Sequence, residues 1–278
     1  MAPERSMGLW AMDQKRGGIF AGMPRVAVLL CVAALLSLVV QASYGAARAD
    51  EKPYKLQIDK DAAEAAKKAG FDLDRLLTRT ADKTFALLPH RDRININVRL
   101  DPKQTVPEIG VAAVPDPGTG ELYIALDPHS RIGFRKSLTI WLPASLARVA
   151  FLSSRIRTGP GYGVTLGEAL VSEGLSDHFV AQAFPKTPAQ PWDHRAMTAR
   201  QEAGLWKRAK RDLDVPGAYD HPLWFFGAGG KNALPRWSGY TLAYRIVSPY
   251  LSKKRLPSKA VKTNAETIYK PYAQTHSG

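Results

Sequence analysis

The chain has 278 residues, 45% of them hydrophobic, and a formal net charge of +14; this is enough for one sizeable domain with a real core and excludes two large ones. The bases are scattered through "KKAG", "KRAKR", "LSKKR" and "SKAVK" rather than gathered in a run with interleaved aromatics, so no specific nucleic-acid binding is expected. A weak association with anionic envelope surfaces is the reading that the charge leaves open.

Residues 1 to 49 have the layout of an export signal. Lys15, Arg16 and Arg25 precede the apolar run Val26 to Val40, and "ARA" at Ala47 to Ala49 offers a cleavage site, with Asp50 as the first residue after it. An exported protein, periplasmic or extracellular, is therefore expected. The apolar run falls short of the roughly 20 residues a spanning helix needs, and an uncleaved N-terminal membrane anchor is the alternative. Beyond residue 49 the chain carries 34 bases against 23 acids, a net +11. The only cysteine, Cys31, lies in the leader, so the remainder has neither thiol chemistry nor a disulfide.

Two N-terminal helices follow: an Ala/Lys-rich segment from Asp59 to Gly70, and a second in which Leu73, Leu76, Leu77, Ala81 and Phe85 recur at helical spacing. "RININVRLD" alternates strictly, with Ile94, Ile96, Val98 and Leu100 on one face, and predicts a strand. "ELYIALD" from Glu121 predicts another, separated from "IGVAAV" by the turn-forming "PDPGTG". From Arg135 onward the period is helical, broken at "RTGPGYG", "PKTPAQP" and "FGAGGKNALP". The fold class expected is α+β: a small antiparallel sheet followed by a mainly helical C-terminal half, with one domain over 50 to 256 and a polar tail over 257 to 278. The two strands should share one sheet that packs on a helix spanning Leu138 to Arg155.

That helix raises the functional question. In an HExxH motif two histidines at i and i+4 share a zinc ion on one helical face, and the glutamate beside the first polarises the bound water. A third ligand comes from elsewhere, often a glutamate on the next helix. "SEGLSDHF" suits that role, because Glu173 and Asp177 stand i, i+4 on a predicted helix, one able to ligate and the other to buttress.

The run from "VPEIGVAAVPDPGTGELYIALDP" through "GPGYGVTLGEALVSEGLSDHF", "YDHPLWFFG" and "LPRWSGYTLAYRIV", roughly Val106 to Tyr250, resembles the bacterial family of predicted zinc-dependent proteases marked by HExxH and an EGLA-type helix. The resemblance implies a zincin or gluzincin-like metallopeptidase fold, zinc as cofactor, and Glu173 as the glutamate ligand. This chain departs from the pattern. Aligning "ASLARVA" on the family's "HELHHVA" puts Ala144 and Arg148 at the histidine positions and Ser145 at that of the catalytic glutamate; sliding by one puts Pro143, Ala144 and Ala147 there.

None of His90, His129, His178, His194, His221 and His276 stands four residues from another, and a lone carboxylate does not hold zinc against water. Pro143, within the helix, costs on the order of 3 kcal/mol in a regular turn and would misalign a ligand pair. No cofactor is expected, Glu173 is a vestigial ligand position, and the chain reads as a pseudoenzyme. A peptide or protein partner in a groove between the "ELYIALD" edge strand and the helices is the accompanying expectation. The alternative is an active zinc metallopeptidase or another hydrolase with an atypical site, although Ser145 has no base at triad-like positions. Trp224, Phe225, Phe226 and Trp237 are expected as core or groove wall, and Tyr240 as a packing residue or an oxyanion donor. Without zinc, Glu173 is a buried carboxylate that a cation must neutralise or water must reach; the long, bidentate Arg148 guanidinium is expected to pair with it, with Asp177 as a further acceptor, and the alternative is an Arg148 in solvent beside a hydrated Glu173.

Overall fold

The computed structural model describes residues 52–188, 197–227 and 233–276. Residues 1–51, on which the expected export signal and Cys31 fall, and also His194, lie outside the described residues. Among those described, no helix is long and apolar enough to cross a membrane.

The fold is α+β and mostly helical. Strands β1 (Tyr54–Ile58) and β2 (Ile94–Leu100) are joined by helices α1 (Lys60–Lys68) and α2 (Leu73–Phe85), and β3 (Val111–Pro115) and β4 (Leu122–Leu126) complete a four-stranded sheet in the order β1-β2-β4-β3. The sheet is mixed and not antiparallel as expected: β1 pairs with β2, and β2 with β4, in parallel, and only β3 and β4 run antiparallel. The connections decide this. A tight turn can join only antiparallel neighbours, whereas the two-helix crossover from β1 to β2 returns the chain in the same direction. The β3–β4 turn is built by Asp116, whose Oδ1 accepts from the backbone N–H of Gly118 (3.0 Å) and Thr119 (2.7 Å); Gly120 then takes φ 73°, open to glycine at little cost.

β2 buries Ile94, Ile96 and Val98 as its alternation requires. β2 and β4 lie side by side, and the sheet packs through β3 and β4 against helix α3 (Leu142–Thr158). A helical turn at Phe134–Lys136 and a π-helical turn at Ser137–Trp141 lead directly into α3. Pro143 stands at the start of α3 rather than inside a regular stretch. Its missing N–H falls where the ladder changes from five-residue to four-residue spacing, so the interior distortion expected of it does not arise.

Helix α4 (Leu166–Ala183) is capped by Thr165 and Glu168, each bonding the other's backbone N–H. It is buried on every side, including Ser172, Glu173, Ser176 and Asp177, because α3 covers one flank and α6 (Ser238–Leu251) another. Gly174 makes this possible: a Cβ there would overlap the Ala243 carbonyl of α6. Helix α5 (Ala199–Asp212), a π-helical turn at Pro222–Phe226 and helix α7 (Ala265–Thr275) complete the helical half.

The residues after Pro257 are not a loose tail. Ile268, Tyr269 and Tyr272 are buried on α7, and Arg155 of α3 donates to the carbonyl oxygens of Val261 and Thr263, each at 3.0 Å. Polar composition misled here because the anchoring groups are carbonyls, which composition does not record, and three apolar positions in one helix.

Candidate functional site

Arg148 and Glu173 meet. On α3, Arg148 projects one turn beyond Ala144, the residue that the motif resemblance would set at the first histidine, on the same helical face. Its Nη2 donates to Glu173 Oε2 and its Nε donates to Asp177 Oδ1 at 2.9 Å. The second carboxylate is the i, i+4 neighbour of the first on α4, so a single guanidinium spans both. All three side chains are withdrawn from water, with 12%, 4% and 1% exposure for Arg148, Glu173 and Asp177.

Tyr162, from the "GPGYG" connection, donates its hydroxyl to Glu173 Oε1 at 2.8 Å, and the Arg148 guanidinium lies 4.9 Å from the centre of the Tyr240 ring. Both oxygens of Glu173 are therefore engaged. Ser145 lines the same cleft, whereas Ala144 is fully buried beneath it.

The electrostatics follow from burial. Desolvation would lower the Arg148 pKa, but the charges of Glu173 and Asp177 outweigh it and hold it above the ordinary arginine value. Desolvation also pushes the Glu173 carboxyl up, against the opposing pull of Arg148 and of the Tyr162 hydroxyl. Arg148 is thus held charged while Glu173 is pushed toward its neutral form; two carboxylates share one cation, so the set carries a surplus negative charge whenever both are ionised. Burial and the Glu173 charge raise the Tyr240 phenol, which stays neutral. His221 is pushed down by burial and by Arg148.

This set opens onto a cleft of about 1060 Å³. One wall is the whole of β3, the other the aromatic rings of Phe226, Trp237 and Tyr240, with His221 stacked on Phe225 at 4.5 Å. The edge strand is β3 and not the "ELYIALD" strand, since β4 lies between β2 and β3. The β3–β4 ladder bonds Asp116 N–H to Glu121 O and Asp127 N–H to Gly110 O. Alternation then commits Ala112 and Val114 to the sheet and turns the N–H and C=O of Ala113 toward the cleft side.

Of the aromatic residues, Phe226 and Trp237 are groove wall, and Trp224 and Phe225 are core. Trp237 holds φ 69°, a conformation that costs a bulky side chain about 1–2 kcal/mol. Tyr162 and His221 lie in the quoted motifs but carried no sign of their own as site residues: Tyr162 is in a glycine-rich connection and His221 caps the π-helical turn, and only the fold brings them to Glu173 and Arg148.

A zinc ion does not fit these residues. Ala144 has no donor atom, Arg148 is a permanent cation, and both carboxylates already accept from it. No group of three or more His, Cys, Asp or Glu side chains that could hold a metal ion occurs among the described residues.

Residues 153–270 match the family model described as predicted Zn-dependent protease (DUF2268), so the family likeness carried by the motifs is shown over that span. The matched span holds Glu173, Asp177 and Tyr240, ends midway along α7, and begins just beyond Ala144 to Arg148. No curated protein and no solved structure matches the chain.

Proposed function

We propose, with the likeness to predicted Zn-dependent proteases as premise, that this chain is a zincin-like pseudoenzyme, exported from the cytoplasm, that binds an extended polypeptide in the cleft without cleaving it. One observation carries the loss of catalysis: the guanidinium of Arg148 sits where the second histidine of the motif would stand and takes up Glu173, the third-ligand position, together with Asp177. A permanent cation there repels a divalent ion as well as replacing its ligand.

Peptide binding is supported by the edge strand. An extended chain laid against β3 meets the N–H and C=O of Ala113 as hydrogen-bonding partners, and its alternate side chains face the aromatic wall. Glu173 and Asp177 are then structural acceptors, and Ser145 is a polar group in the cleft floor with no base of its own.

Purified protein should contain no stoichiometric zinc and should leave casein intact with or without added metal. Bound zinc together with chelator-sensitive cleavage would defeat the inactive reading. For binding, a library of unstructured peptides screened by fluorescence anisotropy should yield ligands that Ala113→Pro no longer retains. That substitution removes an N–H the sheet does not use, so it should leave the melting temperature nearly unchanged. Undiminished binding by a folded Ala113→Pro variant would remove β3 as the docking edge.

A further inference from the structure

The turn that follows α6 is a charged surface outside the cleft. Lys253, Lys254, Arg255, Lys259 and Lys262 are all exposed, and none pairs with a carboxylate among the described residues. The sequence has no Asp or Glu between Asp220 and Glu266. Some surface bases elsewhere do find acids, as Lys52 does with Asp82 and Arg236 with Glu108, and what sets this turn apart is that five bases stand within ten residues with no acid of the surrounding sequence among them. The field of this turn is left uncompensated.

Its backbone is held firmly. Ser258 accepts from Gln182 Nε2 at 2.9 Å through its hydroxyl and donates its N–H to Gln182 Oε1 at 3.1 Å. Pro257 and Ser258 are buried, and Arg255 donates to the Tyr250 carbonyl at 3.1 Å while covering the Tyr250 ring. From this fixed base Leu256 projects with half its surface in water. Lys254 holds φ 56° just past the helix end, where glycine is the residue that fits most easily. A lysine there is kept against local backbone preference, which points to a use for its charge.

We propose that the turn from Ser252 to Lys262 docks on an anionic phospholipid bilayer. The five bases would lie at the level of the headgroup phosphates, and Leu256 would enter the boundary of the acyl chains. The leucine distinguishes this partner from a soluble polyanion, which offers it nothing apolar. Nucleic acid is disfavoured as well, since the turn presents no free aromatic ring for a base to stack on.

The test is co-sedimentation of the full chain with vesicles of phosphatidylcholine alone or with about one third phosphatidylglycerol, at low and at high salt. The neutral vesicles report any contribution of the apolar leader. The expected result is a preference for anionic vesicles that high salt abolishes. The variant K253Q/K254Q/R255Q should lose that preference at roughly five-fold per base removed, and L256S should weaken binding to anionic vesicles several-fold. Lys254→Gly separates docking from folding: it should raise the melting temperature and lower vesicle binding. Equal binding to both vesicle types, or a triple variant that binds as the parent does, would overturn the proposal. Retention on heparin with a vesicle affinity that L256S leaves unchanged would also overturn it, by making the site one of charge alone.

Discussion

Two arginines largely withdrawn from water, Arg148 and Arg155, stand two helical turns apart on α3 and solve the same problem in opposite ways. Arg148 is enclosed by two carboxylates and a phenol. Arg155, only 1% exposed, has no carboxylate within hydrogen-bonding distance among the described residues: it donates to the Ser172 hydroxyl at 3.0 Å and to the carbonyls of Val261 and Thr263. Burial pushes its pKa down to about 10, with Glu168 opposing from a distance, so below that pH it carries a charge that its surroundings only partly repay. Arg148 neutralises a pair of acids on the neighbouring helix, whereas Arg155 pins one segment of chain to another. Charge balance belongs to the first and chain tethering to the second, and substitutions should separate them.

The largest effect is expected at Arg148. Arg148→Ala strands two buried carboxylates and should destabilise the fold by about 3–5 kcal/mol near neutral pH, read from chemical denaturation. The effect should depend on pH with a definite sign. Glu173 already titrates above its ordinary value of 4.5 because of burial, and removing Arg148 removes the main influence that lowers it. A carboxyl with a raised folded pKa contributes stability that is complete below the unfolded value and is lost as pH rises through the folded one. The penalty of Arg148→Ala should therefore be smaller at pH 5 than at pH 8, and equal penalties would mean that Glu173 does not feel this charge. Replacing the whole set, as R148M/E173Q/D177N, should return to within about 2 kcal/mol of the parent, since a neutral buried cluster has no stranded charge.

At Arg155 the expected cost is smaller, about 2–3 kcal/mol for Arg155→Met, because it leaves neutral acceptors unsatisfied rather than charges. It should also be local. Hydrogen exchange should quicken first in α7 and in the segment around Val261, while Glu173 and its neighbours keep their protection. Uniform loss of protection would show that Arg155 supports the core as a whole and is not a tether.

Much of this contrast could be read before any coordinates. The i, i+4 pair of Glu173 and Asp177, and an arginine one motif-length from Ala144, are local patterns on two predicted helices, and the requirement that a buried carboxylate find a cation linked them. The alternation of β2, the Ala/Lys-rich composition of α1 and the apolar spacing of α2 are equally local. What escaped was non-local. β1 is five residues whose role as a strand depends on pairing with β2, and the parallel direction of the sheet depends on crossovers, not on any strand's own residues. The identity of the edge strand, on which the cleft depends, is a property of strand order that alternation cannot encode. Arg155 had no motif at all, because carbonyl acceptors are present at every residue, and Tyr162 reaches Glu173 only through the path of a glycine-rich loop.

The smallest effect is expected where the same ion types meet in water. Arg236 and Glu108 approach to 2.6 Å across the cleft mouth, but both are between a third and a half exposed. The guanidinium also lies 4.3 Å from the centre of the Trp237 ring, a contact that survives loss of the carboxylate. Water solvates both partners when they separate, and mobile ions screen what remains, so Glu108→Ala should cost no more than about 1 kcal/mol and less still in high salt. The measurement is the same denaturation curve, run at low and high ionic strength beside Arg148→Ala. Arg148 should keep most of its effect in salt because the two carboxylates it would strand are themselves almost wholly withdrawn from water, whereas the Glu108 effect should vanish. A Glu108→Ala cost that persisted in salt would place the pair under the shelter of Trp237 and make burial there, not ion type, the quantity that separates the two sites.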